Sequence, residues 1–502
     1  DRLIVGAVQS GELPEKVLDT AVARILNIVF RYEENRDKNA VFDRDKDHEM
    51  ARKVAQETIV LLKNEGVLPL SEQDDIAFIG KYAKTPRYQG GGSSHINSHK
   101  VTSALDAVEG MGHVTYAQGF DDKEDRTDEK LLAEAVETAK KAKVAVIFAG
   151  LPDAFESEGF DREHMRMPEC QNELISKVAA VQPNTIVVLH NGSPVEMPWV
   201  NEVKGIVEAY LGGQAVGGAV CDILFGRVNP SAKLPESFPL KLEDNRSFLF
   251  YIGEKDKVEY REGIFVGYRY YDKKKMDVLF PFGHGLSYTT YEYANLTTDK
   301  DQMKDTDVMT VSVDVTNTGN MAGKEVVQLY VADKESTVIR PLKELRGFEK
   351  VELAPGETKT VTFTLDKRAF AYYSVKLQDW HVETGAFDIM IGRSSRDIVL
   401  TKEVTVESTV KIPFVYTTDT IMGDVLKDPR TREIVKDLLK LDIFGGEQGK
   451  AESSAANEAI SEGMSAAMAG FTPLRGALSF GGDMNMADIQ EIVDKLNALE
   501  EN

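Results

Sequence analysis

The run Val144-Ala145-Val146-Ile147-Phe148-Ala149-Gly150, followed shortly by Glu156-Ser157-Glu158-Gly159-Phe160-Asp161-Arg162, decides the fold. Seven apolar or small residues without a polar break fit a strand buried on both faces, the kind that parallel sheets use. A loop leaving the carboxyl end of such a strand lies where open α/β sheets bind ligands. This loop carries three carboxylates and an arginine. In a chain with 82 acidic residues most acidic loops are solvated surface, so charge alone does not make it a site. Its place after the strand and its order, Ser-Glu-Gly-aromatic-Asp-Arg, set it apart.

The flanking segments alternate in the same manner. Ile76-Ala77-Phe78-Ile79-Gly80 predicts a strand, 101–111 a helix, 114–117 a strand, and 128–143 a helix with Leu131, Leu132, Ala135, Val136 and Ala139 on one face. Beyond the acidic loop, Leu174, Ile175 and Val178 mark a helix, 185–190 and 206–210 are strands, and 214–225 is a closing helix. Continuous apolar strands separated by amphipathic helices require a parallel sheet covered on both faces. After residue 300 the period falls to two: 310–315, 326–331, 360–365 and 387–391 read as short alternating strands, with turns at 318–320 and 354–357. Such spacing over about 100 residues predicts an immunoglobulin-like sandwich. The last segment, from about Lys411, returns to helical spacing at 431–441 and 486–499. Met464, Met468, Met484 and Met486 in it read as core filler or as an adaptable binding surface, and the tail is expected to wrap onto the folded body.

The acidic loop resembles the acid/base loop of glycoside hydrolase family 3, the β-glucosidase and β-xylosidase family. The resemblance continues along the chain. Gly11-Glu12-Leu13-Pro14 with the helical spacing that follows is similar to the last helix of that family's barrel, and 43–48 reads as a charged linker. Ile59-Val60-Leu61-Leu62-Lys63-Asn64 with Leu68-Pro69-Leu70 is similar to the lead-in to its second domain. Gly267-Tyr268-Arg269-Tyr270-Tyr271, Pro281-Phe282-Gly283-His284-Gly285 and Arg340-Pro341-Leu342-Lys343-Glu344-Leu345-Arg346-Gly347-Phe348 match its later motifs, the last at the centre of a fibronectin type III-like domain. The expected organisation is an end of barrel with linker over 1–42, an α/β sandwich carrying the acid/base loop over 43–240, a connecting segment over 241–300, a fibronectin type III-like β-sandwich over 301–410, and a helical tail over 411–502.

What the resemblance implies about function is specific. It makes the chain the C-terminal portion of a retaining exo-β-glycosidase hydrolysing β-D-glucosides of the cello-oligosaccharide or aryl type. Glu158 would be the general acid/base, Asp161 and Arg162 would orient its loop, and Gly90, Gly91, Gly92, Ser93 and Ser94 would line the sugar site. Retaining hydrolysis needs a second carboxylate about 5 Å away. The family's second carboxylate is an aspartate in a Ser-Asp-Trp motif on the barrel, and that motif does not occur in these 502 residues, Asp379-Trp380 being a decoy in the alternating β region. The barrel is therefore expected on the same longer chain or on a separate one, and this chain alone is expected to be inactive. The alternative is a non-catalytic carbohydrate-binding or scaffold protein. The acid should have a raised pKa: Glu156 and Asp161 nearby would raise it and Arg162 would lower it, which leaves the balance open.

Other signals point away from other functions. The glycine loop at 90–94 has neither the Lys-Ser/Thr ending of a phosphate loop nor the spacing of a dinucleotide fingerprint, and Gly212-Gly213-Gln214-Ala215-Val216-Gly217-Gly218 is better explained by close packing of helix on sheet. The eight histidines and two cysteines, Cys170 and Cys221, show no zinc spacing, so neither metal nor cofactor is expected. A net charge of −22 argues against nucleic acid and anionic membranes as partners. The expected partners are a β-linked saccharide and the barrel, with homo-oligomerisation left open. Two cysteines fit a reduced compartment, which gives a cytoplasmic location as the expectation, with a signal peptide left open.

Overall fold

The sheet that positions the acidic loop has six strands: β1 (Val60–Asn64), β2 (Ile76–Ile79), β3 (Val114–Ala117), β4 (Val144–Gly150), β5 (Thr185–His190) and β6 (Gly205–Glu208). In this computed structural model, which describes residues 1–412, 414–435, 467, 470–480 and 484–500, they lie in the order β1-β6-β5-β4-β2-β3. Strands β2 to β6 are parallel, and β4 and β5 are buried at every residue. The edge strand β1 pairs antiparallel with β6, so the sheet is parallel-rich, as the sequence predicts. A short apolar run does not encode the direction of its pairing.

The helices α1 (Arg2–Ser10), α2 (Glu15–Asn35) and α3 (Arg44–Thr58) precede the sheet, and α4 (Ala104–Ala107), α5 (Glu129–Lys141), α6 (Glu169–Ala179) and α7 (Val216–Leu224) alternate with its strands. Asp128 caps α5 by accepting from the backbone of Lys130 and Leu131 at 2.9 and 3.1 Å, and Leu132, Ala135 and Ala139 form its buried stripe. Two expectations change. The helix expected over 101–111 is a single turn, Ala104–Ala107, started by a reciprocal Ser103/Asp106 capping box and followed at Gly110 by a left-handed residue with φ +84°. The charged linker at 43–48 is instead the start of α3: Asp43 accepts from Asp45 and Lys46 N–H, and Asp45 and Asp47 sit in the first turn, where carboxylates favour a helix. The helix expected after Pro14 is α2, and α1 precedes it across Gly11 (φ +79°); neither buries a residue within the described structure.

Gly217 of α7 abuts the backbone of Ser103 and Ala104, so a Cβ there would collide with main chain. The tight approach is thus to the α4 turn and not to the sheet. On the other side of α7, Asp222 takes two bonds of 2.7 Å from Arg52 of α3 and one of 2.5 Å from Gln56, with only 5% of its side chain exposed.

The chain divides into two compact units. The first comprises 1–302, 308–370 and 385–405; the second comprises 303–307, 371–384 and the described residues from 406 onward. A further helix, α8 (Tyr268–Lys274), lies in the connecting segment. The strands after it are β7 (Tyr291–Thr298), β8 (Gln302–Lys304), β9 (Met309–Asn317), β10 (Gly323–Asp333), β11 (Glu344–Leu353), β12 (Thr358–Leu365), β13 (Tyr372–Ser374), β14 (Asp379–His381), β15 (Gly385–Ser394) and β16 (Asp397–Glu407). In the first unit β12-β9-β7 form one antiparallel sheet, and β11-β10-β15-β16 lie side by side in another. Burial alternates residue by residue along β9, placing Val311, Val313 and Val315 inside, as period two requires.

The second unit contains the β13/β14 hairpin, where Asp379 and Trp380 lie, and a core of its own in which Ile489, Val493 and Leu496 of the helix Met486–Glu500 meet Tyr416, Met422 and Val425. Asn497 fixes that helix by exchanging hydrogen bonds of 2.8 and 3.0 Å with the Tyr416 backbone. Met484 packs on this core, whereas Met486 is half exposed and does not fill it. Met464, Met468 and most of 431–441 lie outside the described residues, and 429–431 form a single 3-10 turn.

Glu208, the last residue of β6, is fully buried, and burial raises its pKa well above the usual carboxylate range despite bonds from Tyr210 N–H (3.0 Å) and the Asn191 amide (3.1 Å). The folded chain therefore holds this proton more tightly than the unfolded chain, where a glutamate titrates near about 4.3. The stability associated with it is complete below that pH and declines as pH rises towards the folded-state pKa. Glu208→Gln should accordingly gain stability relative to the parent between about pH 5 and pH 8 in urea titrations, and an equal difference at both would contradict the buried, protonated assignment. Asp222→Ala should destabilise the first unit by about 3 kcal/mol, the lower end of what breaking a buried pair costs, because Arg52 is about one-third exposed. The fluorescence of buried Trp199 reports that unit, and a loss below about 1 kcal/mol would show that the pair does not tie α3 to α7.

Candidate active site

The carboxyl ends of β2, β4 and β5 carry three loops that meet. After β2 the chain passes through a short 3-10 turn to Arg87 and the glycine loop at 90–94. After β4 comes the acid loop at 151–167, and after β5 the segment 191–194.

Glu156 binds these loops together. Its carboxylate accepts from Arg87 Nη1 (2.7 Å), Gly192 N–H (2.8 Å) and the Ser193 hydroxyl, and its carbonyl accepts from Arg87 Nη2 (2.7 Å). Burial pushes the Glu156 pKa up, but the bonds from Ser193, Arg87 and Gly192 outweigh it and leave the group below its usual range, hence ionised. Arg87 is itself buried, at 6% side-chain exposure. Arg162 closes the arrangement by donating Nη1 to Ser193 Oγ (2.7 Å) and to the Pro194 carbonyl (3.1 Å).

Glu158, two residues on, behaves differently. It is exposed, and its Oε2 accepts from the backbone N–H of Ser93. The Ser93 side chain and backbone hold its pKa below the usual value. The loops touch closely here: Glu158 N–H approaches the Gly91 carbonyl at 3.4 Å, and a Cβ on Gly91 would strike Ser157 while one on Gly92 would strike Glu158. Gly92 also has φ +90°, so glycine is required there on two grounds. The loop is closed on itself by Gln89, whose side chain pairs with both backbone groups of Ile96 at 3.0 and 3.1 Å.

The residues singled out in the sequence therefore divide. Gly91, Gly92 and Ser93 meet Glu158. Gly90 and Ser94 contact each other, Ser94 Oγ lying 3.4 Å from the Gly90 carbonyl. Asp161 accepts from Tyr251 Oη at 2.6 Å and Arg162 turns to Ser193. The carboxylates expected to raise the Glu158 pKa do not act on it, because Glu156 faces Arg87 and Asp161 faces Tyr251; Ser93 sets it instead. Arg87, Ser193 and Tyr251 were not anticipated. They lie far from the loop in sequence and carry no motif, and only the buried neighbours of Arg87 mark it out.

His190, at the end of β5, is fully buried, and burial pushes its pKa down to about 4. It stacks on Phe148 at 6.4 Å and packs as a neutral ring. Both cysteines are buried and free. Among the described residues no three His, Cys, Asp or Glu side chains cluster to hold a metal ion, and no helix is long and apolar enough to cross a membrane.

Comparison with known proteins gives the same frame. Residues 59–288 match the glycosyl hydrolase family 3 C-terminal domain, and 325–395 match a fibronectin type III-like domain. The chain is 52% identical over 506 residues to thermostable beta-glucosidase B of Acetivibrio thermocellus, covering all of this chain and 66% of that protein. It is 45% identical over 425 residues to an exo-alpha-(1->6)-L-arabinopyranosidase of Bifidobacterium breve, covering 81% of this chain and 55% of the relative. Among solved structures, the GH3 beta-glucosidase of Bifidobacterium adolescentis superposes with a TM-score of 0.80 at 43% identity, covering 86% of this chain and 64% of that one. The chain thus spans two thirds or less of the length of these relatives. With both domain matches in register with the sheet and the sandwich, and identity of this order along the whole chain, the protein belongs to glycoside hydrolase family 3.

Proposed function

We propose that this chain supplies the acid/base half of a retaining exo-β-glycosidase acting on β-D-glucosides, with Glu158 as the general acid/base. One observation carries the reading. Of the three carboxylates in the stretch 156–162, Glu156 is ion-paired with Arg87 and Asp161 is hydrogen-bonded to Tyr251, whereas Glu158 is exposed and, among the described residues, has no cationic partner. Within that stretch it is the carboxyl free to gain and lose a proton towards a ligand. The naming of the Acetivibrio thermocellus relative as a beta-glucosidase supports glucosides as the substrate class.

In the proposed reaction the Glu158 carboxylic acid gives its proton to the glycosidic oxygen as the bond to the anomeric carbon breaks. A second carboxylate, the aspartate that the family carries on its barrel, attacks that carbon. Water then displaces the enzyme from the sugar, and Glu158, now a carboxylate, takes the proton from that water. Arg87, Glu156, Ser193 and Arg162 hold the loop that carries the acid, and the backbone at 91–93 positions its carboxyl. Substrate contacts from the glycine loop are assigned to Gly90, Gly91, Gly92, Ser93 and Ser94, with Asp161 and Arg162 as positioning residues.

In the enzyme complete with its barrel, Glu158→Gln should lower kcat on cellobiose by about 100-fold or more, and by less on aryl glucosides whose leaving group needs no proton. A loss within about threefold on cellobiose would remove Glu158 from this role. In the chain by itself, the Glu158 carboxyl should titrate below the usual glutamate range and move up in Ser93→Ala, read by carbon-13 NMR. No movement would mean that Ser93 does not set its acidity.

A further inference from the structure

A cavity of about 840 Å³ lies beside the acid loop, walled by Arg162, His164 and Ser193 on one side and by the connecting segment on the other. Glu158 does not line it, and the proposed reaction makes no use of it. Its volume is that of a small-molecule site.

Four polar atoms in its walls are buried without a protein partner: Arg162 Nη2, His164 Nδ1, Arg246 Nε and Glu262 Oε2. Native structures carry few such atoms, and each one raises the question of what satisfies it. These four come from two segments about eighty residues apart and gather around one space. They include guanidinium donors and a carboxylate acceptor.

The charge is already balanced. Arg269 pairs with Glu344 at 3.2 Å, and Arg246 lies over the Tyr270 ring at 5.3 Å and donates to the Arg261 carbonyl. Glu236 and Glu262 share the walls with the arginines. A site with donors and acceptors and little net charge suits a neutral, polyhydroxylated molecule better than an anion. Tyr260 stands at the cavity with 86% exposure, offering a ring against which the C–H face of a sugar packs.

We infer that this cavity is a second carbohydrate site, for a neutral mono- or disaccharide, separate from the site of Glu158. The inference rests on the glycosidase reading only for its choice of sugar. An occupant would touch both Arg162 and the segment that carries Tyr251, the partner of Asp161, and so would brace the acid loop from the side away from the reaction.

Titration of the chain with cellobiose and with glucose, followed by saturation-transfer NMR, tests this. Millimolar, saturable binding is expected, weakened about fivefold or more by Arg246→Ala and by Tyr260→Ala and unchanged by Glu158→Gln. Tyr260 is exposed, so its variant keeps the fold and carries the test even if Arg246→Ala does not. Absence of saturable binding would overturn the site. So would binding that is lost in Glu158→Gln but retained in both cavity variants, or tighter binding of glucuronate or inorganic phosphate than of glucose. None of these outcomes bears on the loss of turnover expected for Glu158→Gln in the complete enzyme, so the two readings fail separately.

Discussion

The ion pair between Arg87 and Glu156 is the constraint on which the site depends. A carboxylate with 17% side-chain exposure and a guanidinium with 6% would be costly to bury singly. With Gly192 N–H and the Ser193 hydroxyl they form one hydrogen-bonded group that spans three separate loops. Removing any one partner would leave another charge or dipole unpaired in a confined space, so the loops after β2, β4 and β5 are held as a unit. The strands beneath them are buried throughout, which makes the platform rigid, and Glu158 stands two residues from the pin.

That separation of roles follows from geometry. On the proposed reading the loop has to be fixed, yet Glu158 has to stay accessible to a substrate. Glu156 satisfies the first need by turning inward to a cation, and Glu158 the second by turning outward to a backbone N–H. A lysine or arginine beside Glu158 would fix it as firmly but would also hold its proton off permanently. A backbone N–H orients the carboxyl with less electrostatic bias. Gly91 and Gly92 permit this because only residues without a Cβ let the main chain of one loop come so close to the other.

Much of this was legible in the sequence, and what was missed has physical reasons. The unbroken run at 144–150 could be read as a central buried strand, and the alternation after residue 300 as a sandwich, because burial on one or both faces imposes its own period. Glu158 and Gly91 to Ser93 could be singled out from local order and from likeness to a family. The direction of β1 could not, since an antiparallel edge strand has no period of its own. Arg87 and Ser193 could not either: they act on Glu156 across 69 and 37 residues of chain, and nothing local distinguishes them from other arginines and serines. The start of α3 is a different case. Asp43 and the acidic first turn are an ordinary helix-start signal, and reading charge alone as a linker hid it.

The acidity of Glu158 depends on what surrounds its carboxyl. In this chain its pKa is held below the usual range, whereas a general acid must keep its proton near neutral pH. The two requirements agree if the missing contribution comes with the rest of the site. A second carboxylate about 5 Å away opposes ionisation of its neighbour and so raises the pKa. A sugar that displaces water from the carboxyl pushes in the same direction, and engagement of the substrate oxygen would compete with Ser93 for the same carboxyl oxygen. On the proposed reading, the nucleophile and the substrate both favour the protonated form of Glu158. A retaining glycosidase needs that condition, because the same group must be an acid while the nucleophile is charged and a base once the nucleophile has been spent in the covalent intermediate.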